Sequence, residues 1–328
     1  MTKLVIAGRI HPDGMALLEA EPGLDIELFQ DPGAHLPMES LSAADALLIR
    51  YGVITPAMAE KMPKLRIVSR HGVGVDNLPT TALGARGVPV TIVGPVNAVS
   101  VAEHVLAMMM ALTKKVIASD TAVRESNWNY RSEVALSELF QKTLLILGFG
   151  RIGREVAVRA AAFGMRVVVY DPFVDAATIN AAGYAAVVDW KTALPNVDVL
   201  SLHLPMTLET EGMIGAQELD AMKPTALLIN AARGGLVDED ALFDALSGRM
   251  RQGGAGFDCF ASEPPPKDLA LFDLPNTVLS PHCAALSAES TRAMGVVAAQ
   301  NILAGLKGEL DPALIVNTAS LKEAGHGV

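Results

Sequence analysis

The stretch that most constrains the fold is a glycine pattern near the middle of the chain. Gly148, Gly150 and Gly153 have the spacing G-x-G-x-x-G, directly after the apolar run 144–147 and before a helical pattern. In such a strand–turn–helix unit the first glycine permits a tight turn and the second lets the backbone approach a pyrophosphate. The third allows close packing of the helix on the strand. The pattern therefore predicts a dinucleotide site.

The residues after the glycines extend this prediction. The helix begins near Arg151, and its first N–H groups, around Arg151 and Ile152, favour a bound phosphate. A second strand pattern at 166–170 ends at Asp171, eighteen residues after Gly153. A carboxylate at this place accepts hydrogen bonds from an adenosine ribose and repels a 2′-phosphate. We therefore expect NAD, rather than NADP, as the cofactor.

Length, charge and cysteine content limit the number of domains, the binding partners and the cellular compartment that we expect. The chain has 328 residues, enough for two domains, and a formal net charge of −10 that disfavours a nucleic-acid partner. The two cysteines, Cys259 and Cys283, do not have a zinc-ligand spacing, so we expect no metal and a cytoplasmic location. The longest apolar helical run, 105–112, is too short for a membrane span, and we expect no membrane partner.

Alternating strand and helix patterns predict two doubly wound parallel α/β domains. The first domain, which we expect to be flavodoxin-like, has predicted strands at 3–7, 24–28, 44–50, 65–69 and 88–93. The second, which we expect to be a Rossmann domain, has six predicted strands, at 144–147, 166–170, 197–202, 226–230, 254–257 and 277–280.

Two long helical patterns set the domain boundaries. The pattern at 97–119 predicts one helix, followed by an irregular segment at 119–141, and the pattern at 287–306 predicts a final helix without a strand before it. That last helix is expected to return to the first domain. We therefore predict a substrate domain made of residues 1–98 and 286–328 and a cofactor domain made of residues 99–285.

Reactive side chains follow three predicted strands of the second domain. Arg233 comes just after one strand, and His282 just after the last. Asp258 ends the strand between them, with Glu263 five residues later. Because ligands of open α/β sheets bind outside the carboxyl ends of the strands, we expect these side chains to converge on the dinucleotide.

Their chemistry suits hydride transfer at a carbon that bears a hydroxyl group. A histidine such as His282 can take the hydroxyl proton and return it, and the Glu263 carboxylate would orient and stabilise the imidazolium. Arg233 offers a planar fork to a substrate carboxylate. Asp258 could accept a hydrogen bond from the nicotinamide amide.

Seven segments together resemble the D-isomer-specific 2-hydroxyacid dehydrogenases, and among them the phosphoglycerate dehydrogenase-like branch. The segments are RHGVGVDN (70–77), NAVSVAEHVLAMMMAL (97–112), LGFGRIGREVA (147–157), VSLHLPMTLET (199–210), MKPTALLINAARGGLVDEDAL (222–242), GFDCFASEPP (256–265) and SPHCAALSAES (280–290).

The resemblance implies specific roles. It assigns catalysis to Arg233, Glu263 and His282, and it implies a homodimer. Long-form phosphoglycerate dehydrogenases often carry a C-terminal regulatory domain, but here about twenty residues follow the last long helical pattern, so we expect no such domain. The resemblance places the substrate carboxylate on the N–H groups of Val73 and Gly74. The further cofactor contacts that we assign are Gly148, Gly150, Arg151, Ile152, Gly153, Asp171, Pro205, Ala231, Asp258 and His282.

The substrate side chain is predicted from the first domain. Arg50, at a strand end, and His71, in the glycine-rich loop, could bind a second anionic group, and Arg131 could add to them, even from a partner subunit. We therefore expect a small 2-hydroxy or 2-keto acid with an anionic side chain, with 3-phosphoglycerate as the first hypothesis.

Three alternatives stay open at this point. A reductase for glyoxylate, hydroxypyruvate or another 2-keto acid would use the same residues. A dinucleotide-sensing corepressor-like protein shares the fold, but such proteins have extended tails. A relative acting on formate or phosphite is disfavoured, because formate enzymes have glutamine in place of Glu263.

Overall fold

The computed structural model describes residues 1–30 and 36–326. The chain divides into two compact units, one made of Met1–Asn97 and Leu286–Val328 and the other of Ala98–Ala285. The strands of each unit form one parallel sheet with helices packed on it, as the alternating patterns predicted.

The secondary structure follows the predicted alternation closely. The strands are β1 (Thr2–Ala7), β2 (Leu24–Phe29), β3 (Ala46–Ile49), β4 (Ile67–Arg70), β5 (Val90–Thr91), β6 (Thr143–Leu147), β7 (Arg166–Tyr170), β8 (Ala185–Ala186), β9 (Val199–Leu202), β10 (Leu227–Asn230), β11 (Gly254–Phe257) and β12 (Thr277–Leu279). The α-helices are α1 (Pro12–Glu19), α2 (Met38–Ala43), α3 (Pro56–Glu60), α4 (Thr80–Ala85), α5 (Ala98–Lys114), α6 (Val116–Arg124), α7 (Tyr130–Glu133), α8 (Arg151–Ala162), α9 (Ala176–Ala181), α10 (Trp190–Ala193), α11 (Ala216–Ala221), α12 (Glu239–Ser247), α13 (Ala288–Lys307) and α14 (Thr318–Glu323). Short 3₁₀ helices lie at Leu194–Asn196, Gly234–Leu236, Ala270–Asp273 and Pro312–Leu314.

The first unit has the strand order β2-β1-β3-β4-β5, which confirms the flavodoxin-like prediction. Helix α13 belongs to this unit and packs on β3 and β4, where Ser69 Oγ donates to the Ala298 carbonyl at 3.0 Å. It also crosses α1 closely, because a Cβ on Gly14 would lie 2.4 Å from the Gly295 carbonyl oxygen. Two glycines therefore permit the return of the last long helix to the first sheet.

The second unit has the strand order β12-β11-β10-β9-β6-β7-β8, the doubly wound order of a Rossmann domain. Its central strands are buried on both faces, as their continuous apolar runs indicated. The prediction of six strands was wrong by one. The additional strand, β8, pairs with β7 through Ala185 and Ala186, and two alanines are too few for a recognisable strand pattern.

The prediction of one helix over 97–119 and an irregular segment to 141 was also wrong. Lys115 has a φ of +46°, and this left-handed residue separates α5 from α6. Within α6, Arg124 Nε bonds Asp120 Oδ2 at 2.6 Å, an i,i+4 pair that supports the helix. A pattern of apolar residues shows which face of a helix is buried. It does not show a left-handed residue such as Lys115, so the break between α5 and α6 was not predicted.

The methionine cluster of α5 is explained by core packing. Met108 and Met109 are buried with Val105 in the core of the second unit, under the sheet.

In the described residues, no helix has the length and apolar composition required to cross a bilayer.

Candidate active site

The glycine turn has the geometry that its spacing predicted. Gly148 has a φ of +97°, and a Cβ there would lie 2.5 Å from the His203 carbonyl oxygen. A Cβ on Gly153 would lie 2.0 Å from the Gly148 carbonyl oxygen, so the helix can approach the strand only because residue 153 has no side chain. At Gly150, in contrast, a Cβ would meet no atom within 4 Å.

This open space lies at the start of α8. Gly150 is the residue before the helix, and the N–H groups of Arg151, Ile152 and Gly153 belong to the first turn, where helical N–H groups have no partner within the helix. A space above a glycine, next to a helix N-terminus, suits the pyrophosphate of a dinucleotide. The residues present therefore fit NAD.

Asp171 connects the glycine turn to the next strand. Its Oδ2 accepts a hydrogen bond from the Phe149 N–H at 2.7 Å, and its Oδ1 accepts one from the Phe173 N–H at 2.8 Å. Each carboxylate oxygen can accept a further bond, so a ribose hydroxyl can still be bound. Asp171 consequently has a structural role, which the sequence did not reveal, beside the predicted role in binding the cofactor.

Arg233 is positioned by a tight turn after β10. Asn230 Nδ2 donates to the Arg233 carbonyl at 2.8 Å, and Arg233 Nη1 donates to the Ala232 carbonyl at 2.6 Å. A Cβ on Gly234 would lie 1.9 Å from the Phe260 carbonyl carbon. The glycine therefore lets the turn that carries Arg233 pack directly against the loop that leads to Glu263.

Glu263 and His282 form a hydrogen-bonded pair. Glu263 Oε2 lies 2.7 Å from His282 Nδ1, and Glu263 Oε1 accepts from the Phe260 N–H at 3.1 Å. Partial burial acts to raise the pKa of the Glu263 carboxyl, but the hydrogen bond and charge of His282 outweigh that burial and lower it. An ionised Glu263 accepts a hydrogen bond from the Nδ1–H group of His282. The other ring nitrogen, Nε2, takes no part in this bond.

Asp258 lies at the end of β11 and its side chain is only 1% exposed. Its Oδ1 accepts from Ser280 Oγ at 2.5 Å and from the Cys283 N–H at 2.8 Å, while its Oδ2 accepts from the Ala284 N–H at 2.9 Å. Three protein donors thus hold a buried carboxylate beside the segment that carries His282. The predicted contact with the nicotinamide amide would use the remaining acceptor capacity of Oδ2.

Sequence reasoning missed three residues of this network. His104, on α5, has its Nε2 atom 2.8 Å from Ser280 Oγ, and Asn230 holds the Arg233 turn. Ser280 and Asn230 each stand directly at the end of a strand pattern that leads to a predicted catalytic residue. Their position at a strand end could have identified Ser280 and Asn230 from the sequence. His104 lies within a long helix and had no comparable feature.

The two remaining predicted cofactor residues also follow strands of the second sheet. Pro205 is exposed after β9, and its carbonyl accepts from Thr210 Oγ1 at 2.8 Å. Ala231 directly follows β10 and is half-buried. Their contact with a cofactor stays a prediction.

The glycine-rich loop of the first unit is organised by Arg70. Its guanidinium donates to four backbone carbonyls around the loop, those of Ile49, Arg50, His71 and Gly74, at 2.7 to 3.2 Å. The N–H groups of Val73 and Gly74 donate to no acceptor in the described residues. Successive N–H groups of this kind can form an anion-binding nest, as the sequence predicted for a substrate carboxylate.

Arg50 and His71 differ in the charge that they can offer. Arg50 Nη1 donates to the Arg9 carbonyl at 2.7 Å, and its guanidinium lies over the Tyr51 ring at 4.8 Å. His71 is buried, its Nε2 atom lacks a hydrogen-bond partner among the described residues, and burial, aided by the charges of Arg50 and Arg70, lowers its pKa to about 4. His71 is therefore neutral at pH 7, so a contact of its ring with a second anionic group would be a hydrogen bond without a positive charge.

Residues 106–284 match the family model "D-isomer specific 2-hydroxyacid dehydrogenase, NAD binding domain". Similar curated proteins include a D-3-phosphoglycerate dehydrogenase of Mycobacterium tuberculosis, 39% identical over 94% of this chain and 58% of that protein. They also include a glyoxylate reductase of Thermococcus litoralis, 36% identical over 95% of this chain and 96% of that protein.

The solved structures similar to this chain include a D-lactate dehydrogenase of Aquifex aeolicus, complexed with NAD and lactic acid. The identity is 29% and the TM-score 0.87, with 96% of this chain and 99% of that chain covered. The chain spans little more than half, 58%, of the length of the D-3-phosphoglycerate dehydrogenase relatives.

The two glycines around the helix start give a matched test of cofactor binding. We expect Gly150→Ala to weaken NADH binding at least tenfold with an unchanged melting temperature, because its methyl group enters only the space proposed for the pyrophosphate. Gly153→Ala should lower the melting temperature, because its methyl group would overlap the Gly148 carbonyl. Fluorescence titration with NADH and thermal unfolding measure the two effects. Unchanged NADH affinity in Gly150→Ala would contradict the assigned phosphate position.

Proposed function

The chain belongs to the D-isomer specific 2-hydroxyacid dehydrogenase family, and we propose that it is an NAD-dependent oxidoreductase acting on C2 of a 2-hydroxy acid. The observation that carries this proposal is the 2.7 Å pair of His282 and Glu263, beside Arg233 and at the strand ends of the sheet that holds the glycine turn. We propose the second unit as the cofactor domain and the first as the substrate domain.

His282 acts as the general base in the proposed oxidation. Glu263 accepts a hydrogen bond from Nδ1–H, which leaves the lone pair on Nε2. Nε2 takes the substrate hydroxyl proton while the C2 hydrogen leaves as hydride. The C2–O single bond becomes the carbonyl of a 2-keto acid, and the imidazolium stays paired with the carboxylate. In the reverse direction His282 returns the proton to the carbonyl oxygen.

Two further residues orient the reactants. Arg233 binds the substrate carboxylate or polarises the carbonyl with its planar guanidinium. Asp258 would hold the nicotinamide end of NAD by accepting a hydrogen bond from its carboxamide. NAD, when bound, supplies the hydride acceptor for the oxidation and the hydride donor for the reduction.

The proposed substrate is a small 2-hydroxy or 2-keto acid with an anionic side chain, with 3-phosphoglycerate as the leading choice. The nest of Val73 and Gly74 binds the C1 carboxylate, and Arg50 binds the second anion. The similarity to D-3-phosphoglycerate dehydrogenases supports this choice. Because His71 is neutral, it can bind a second anion only through a hydrogen bond. The proposal therefore depends on Arg50 for the positive charge.

A glyoxylate or hydroxypyruvate reductase is the second candidate. It is favoured by the similarity to the Thermococcus litoralis glyoxylate reductase, of which the chain covers 96%. The catalytic residues would be the same, but a second anion would not be required. The response to Arg50 substitution therefore separates the two candidates.

We further propose a homodimer in the cytoplasm. Most apolar residues of α5 are buried in the core. Val116, Ile117 and Val123 of α6, in contrast, are each more than 50% exposed. Trp128, just after α6, is 64% exposed. Neighbouring exposed apolar side chains suit a subunit interface, and two free cysteines suit a reducing compartment.

His282→Asn tests the general base. Asparagine tolerates the left-handed backbone of residue 282, where φ is +50°, so the turn should be retained. We expect kcat to fall by about 10²- to 10⁴-fold, with NADH affinity nearly intact and the melting temperature unchanged. Turnover close to that of the wild-type enzyme with 3-phosphoglycerate, glyoxylate and hydroxypyruvate would rule out the proposed role.

Asp171 substitutions test cofactor choice. Asp171→Ser removes the charge that repels a 2′-phosphate, so the preference of kcat/KM for NADH over NADPH should fall at least tenfold. Asp171→Asn is the control for structure, because its amide oxygen can still accept from the Phe149 N–H while the charge is lost. If both variants keep the discrimination of the wild-type enzyme, Asp171 does not select the cofactor.

Arg50→Ala tests the anionic side chain of the substrate. We expect kcat/KM for 3-phosphoglycerate to fall by about 10- to 100-fold, the size of a lost hydrogen bond to a charged group, and kcat/KM for glyoxylate to change little. Arg9→Ala is the matched control, because it removes a neighbouring guanidinium but keeps the carbonyl that Arg50 binds. Equal losses on both substrates, or no loss on either, would argue against 3-phosphoglycerate.

A further inference from the structure

His282 occupies a backbone conformation that must be held by its surroundings. Its φ of +50° lies in the left-handed region, which is strained for a residue other than glycine. The conformation turns the chain sharply after Pro281 and points the ring toward Glu263. Any group that stabilises this turn therefore also determines where the catalytic imidazole lies.

Asp258 holds the turn through three successive backbone N–H groups. Its carbonyl oxygen accepts from the His282 N–H at 2.8 Å, and its carboxylate accepts from the N–H groups of Cys283 and Ala284 at 2.8 and 2.9 Å. A carboxylate with 1% exposure depends on such bonds, since burial without them would be very costly. The buried charge and the turn thus stabilise each other.

Helix α5 contacts the same segment twice. His104 Nε2 lies 2.8 Å from Ser280 Oγ, and Ser100 Oγ donates to the Ala284 carbonyl at 2.7 Å. Ser100 and His104 are four residues apart, so they lie on one face of the helix. One helix face therefore bonds the chain on both sides of His282.

The direction of the hydrogen bonds fixes the tautomer of His104. Ser280 Oγ donates its one hydroxyl proton to Asp258 Oδ1. Ser280 Oγ must then accept from His104, which requires a proton on His104 Nε2. The chain of donors runs from His104 through Ser280 to Asp258, and further N–H donors converge on that carboxylate from the turn.

We propose that Ser100 and His104 form a positioning element for the catalytic histidine. His104 acts on the turn through Ser280 and Asp258. Ser100 bonds the Ala284 carbonyl directly. The inference rests on the catalytic role of His282 in the proposed function. Neither residue touches the reacting atoms in this assignment. They act by keeping the turn at 280–284 in its left-handed form, so that His282 Nδ1 stays within hydrogen-bond reach of Glu263.

Three variants test the donor chain. His104→Leu and Ser280→Ala each remove one link, and His104→Gln keeps an N–H donor at position 104. We expect kcat with NADH and glyoxylate, hydroxypyruvate or the 3-phosphoglycerate couple to fall by about 10- to 100-fold in the first two variants. NADH affinity should change less than kcat, and His104→Gln should regain most of the loss. The double variant should be no slower than Ser280→Ala, because both changes break the same chain.

Ser201→Ala is the matched control. Ser201 Oγ and His203 Nε2 form another Ser–His bond of 2.8 Å in the same unit, without a link to Asp258. This variant should lose a similar bond yet keep kcat. Losses of equal size in Ser201→Ala and Ser280→Ala, or a lowered melting temperature with unchanged kcat in the 104 and 280 variants, would overturn the positioning role.

Amide hydrogen exchange gives a readout that does not require turnover. In His104→Leu and Ser280→Ala the peptide covering residues 280–285 should exchange faster, whereas the peptide covering the glycine turn at 148–153 should not change. Unchanged exchange at 280–285 would overturn the proposal. If the wild-type protein turned over none of the three substrates, the proposed function would fail, and the exchange data would still decide whether α5 holds the turn.

Discussion

The parallel alignment of the second sheet is the constraint on which the candidate active site depends. Parallel strands place all their carboxyl ends at one edge, and β6, β10, β11 and β12 are neighbours or near neighbours in the sheet order. The glycine turn, Arg233, Asp258 and the His282 segment all follow these ends. Residues spread over more than a hundred positions are thereby brought to one edge, and close glycine contacts bring their turns together.

The buried carboxylate of Asp258 shows how this edge is made rigid. It collects donors from Ser280, Cys283 and Ala284, and through Ser280 it is connected to His104. In a dry environment such a charge is tolerated only when donors surround it. The same hydrogen bonds that satisfy the charge also fix the backbone that carries His282, the proposed catalytic base. The stability of this turn and the proposed catalysis are therefore coupled at this carboxylate.

Local patterns predicted much of the fold because parallel strands are continuous apolar runs and their crossover helices are periodic. The fold class and all strands except β8 were predicted in this way. The break at Lys115 was not, because a lysine stands at the left-handed position where glycine or asparagine usually marks the end of a helix. The methionines of α5 illustrate another limit, since an apolar helix can face a core or a partner, and packing decided that Met108 and Met109 face the core.

The sequence by itself determined the cofactor motif, the residue types for acid–base chemistry and their positions after strands, because each is encoded within a few neighbouring residues. The tertiary structure alone decided the 2.7 Å pairing of Glu263 with His282 and the connection of α5 to Asp258. It also decided that His71 is buried, where its surroundings lower the pKa of its imidazole to about 4. Hydrogen-bond partners and local dielectric depend on residues far apart in the chain, and only the packed fold brings them together.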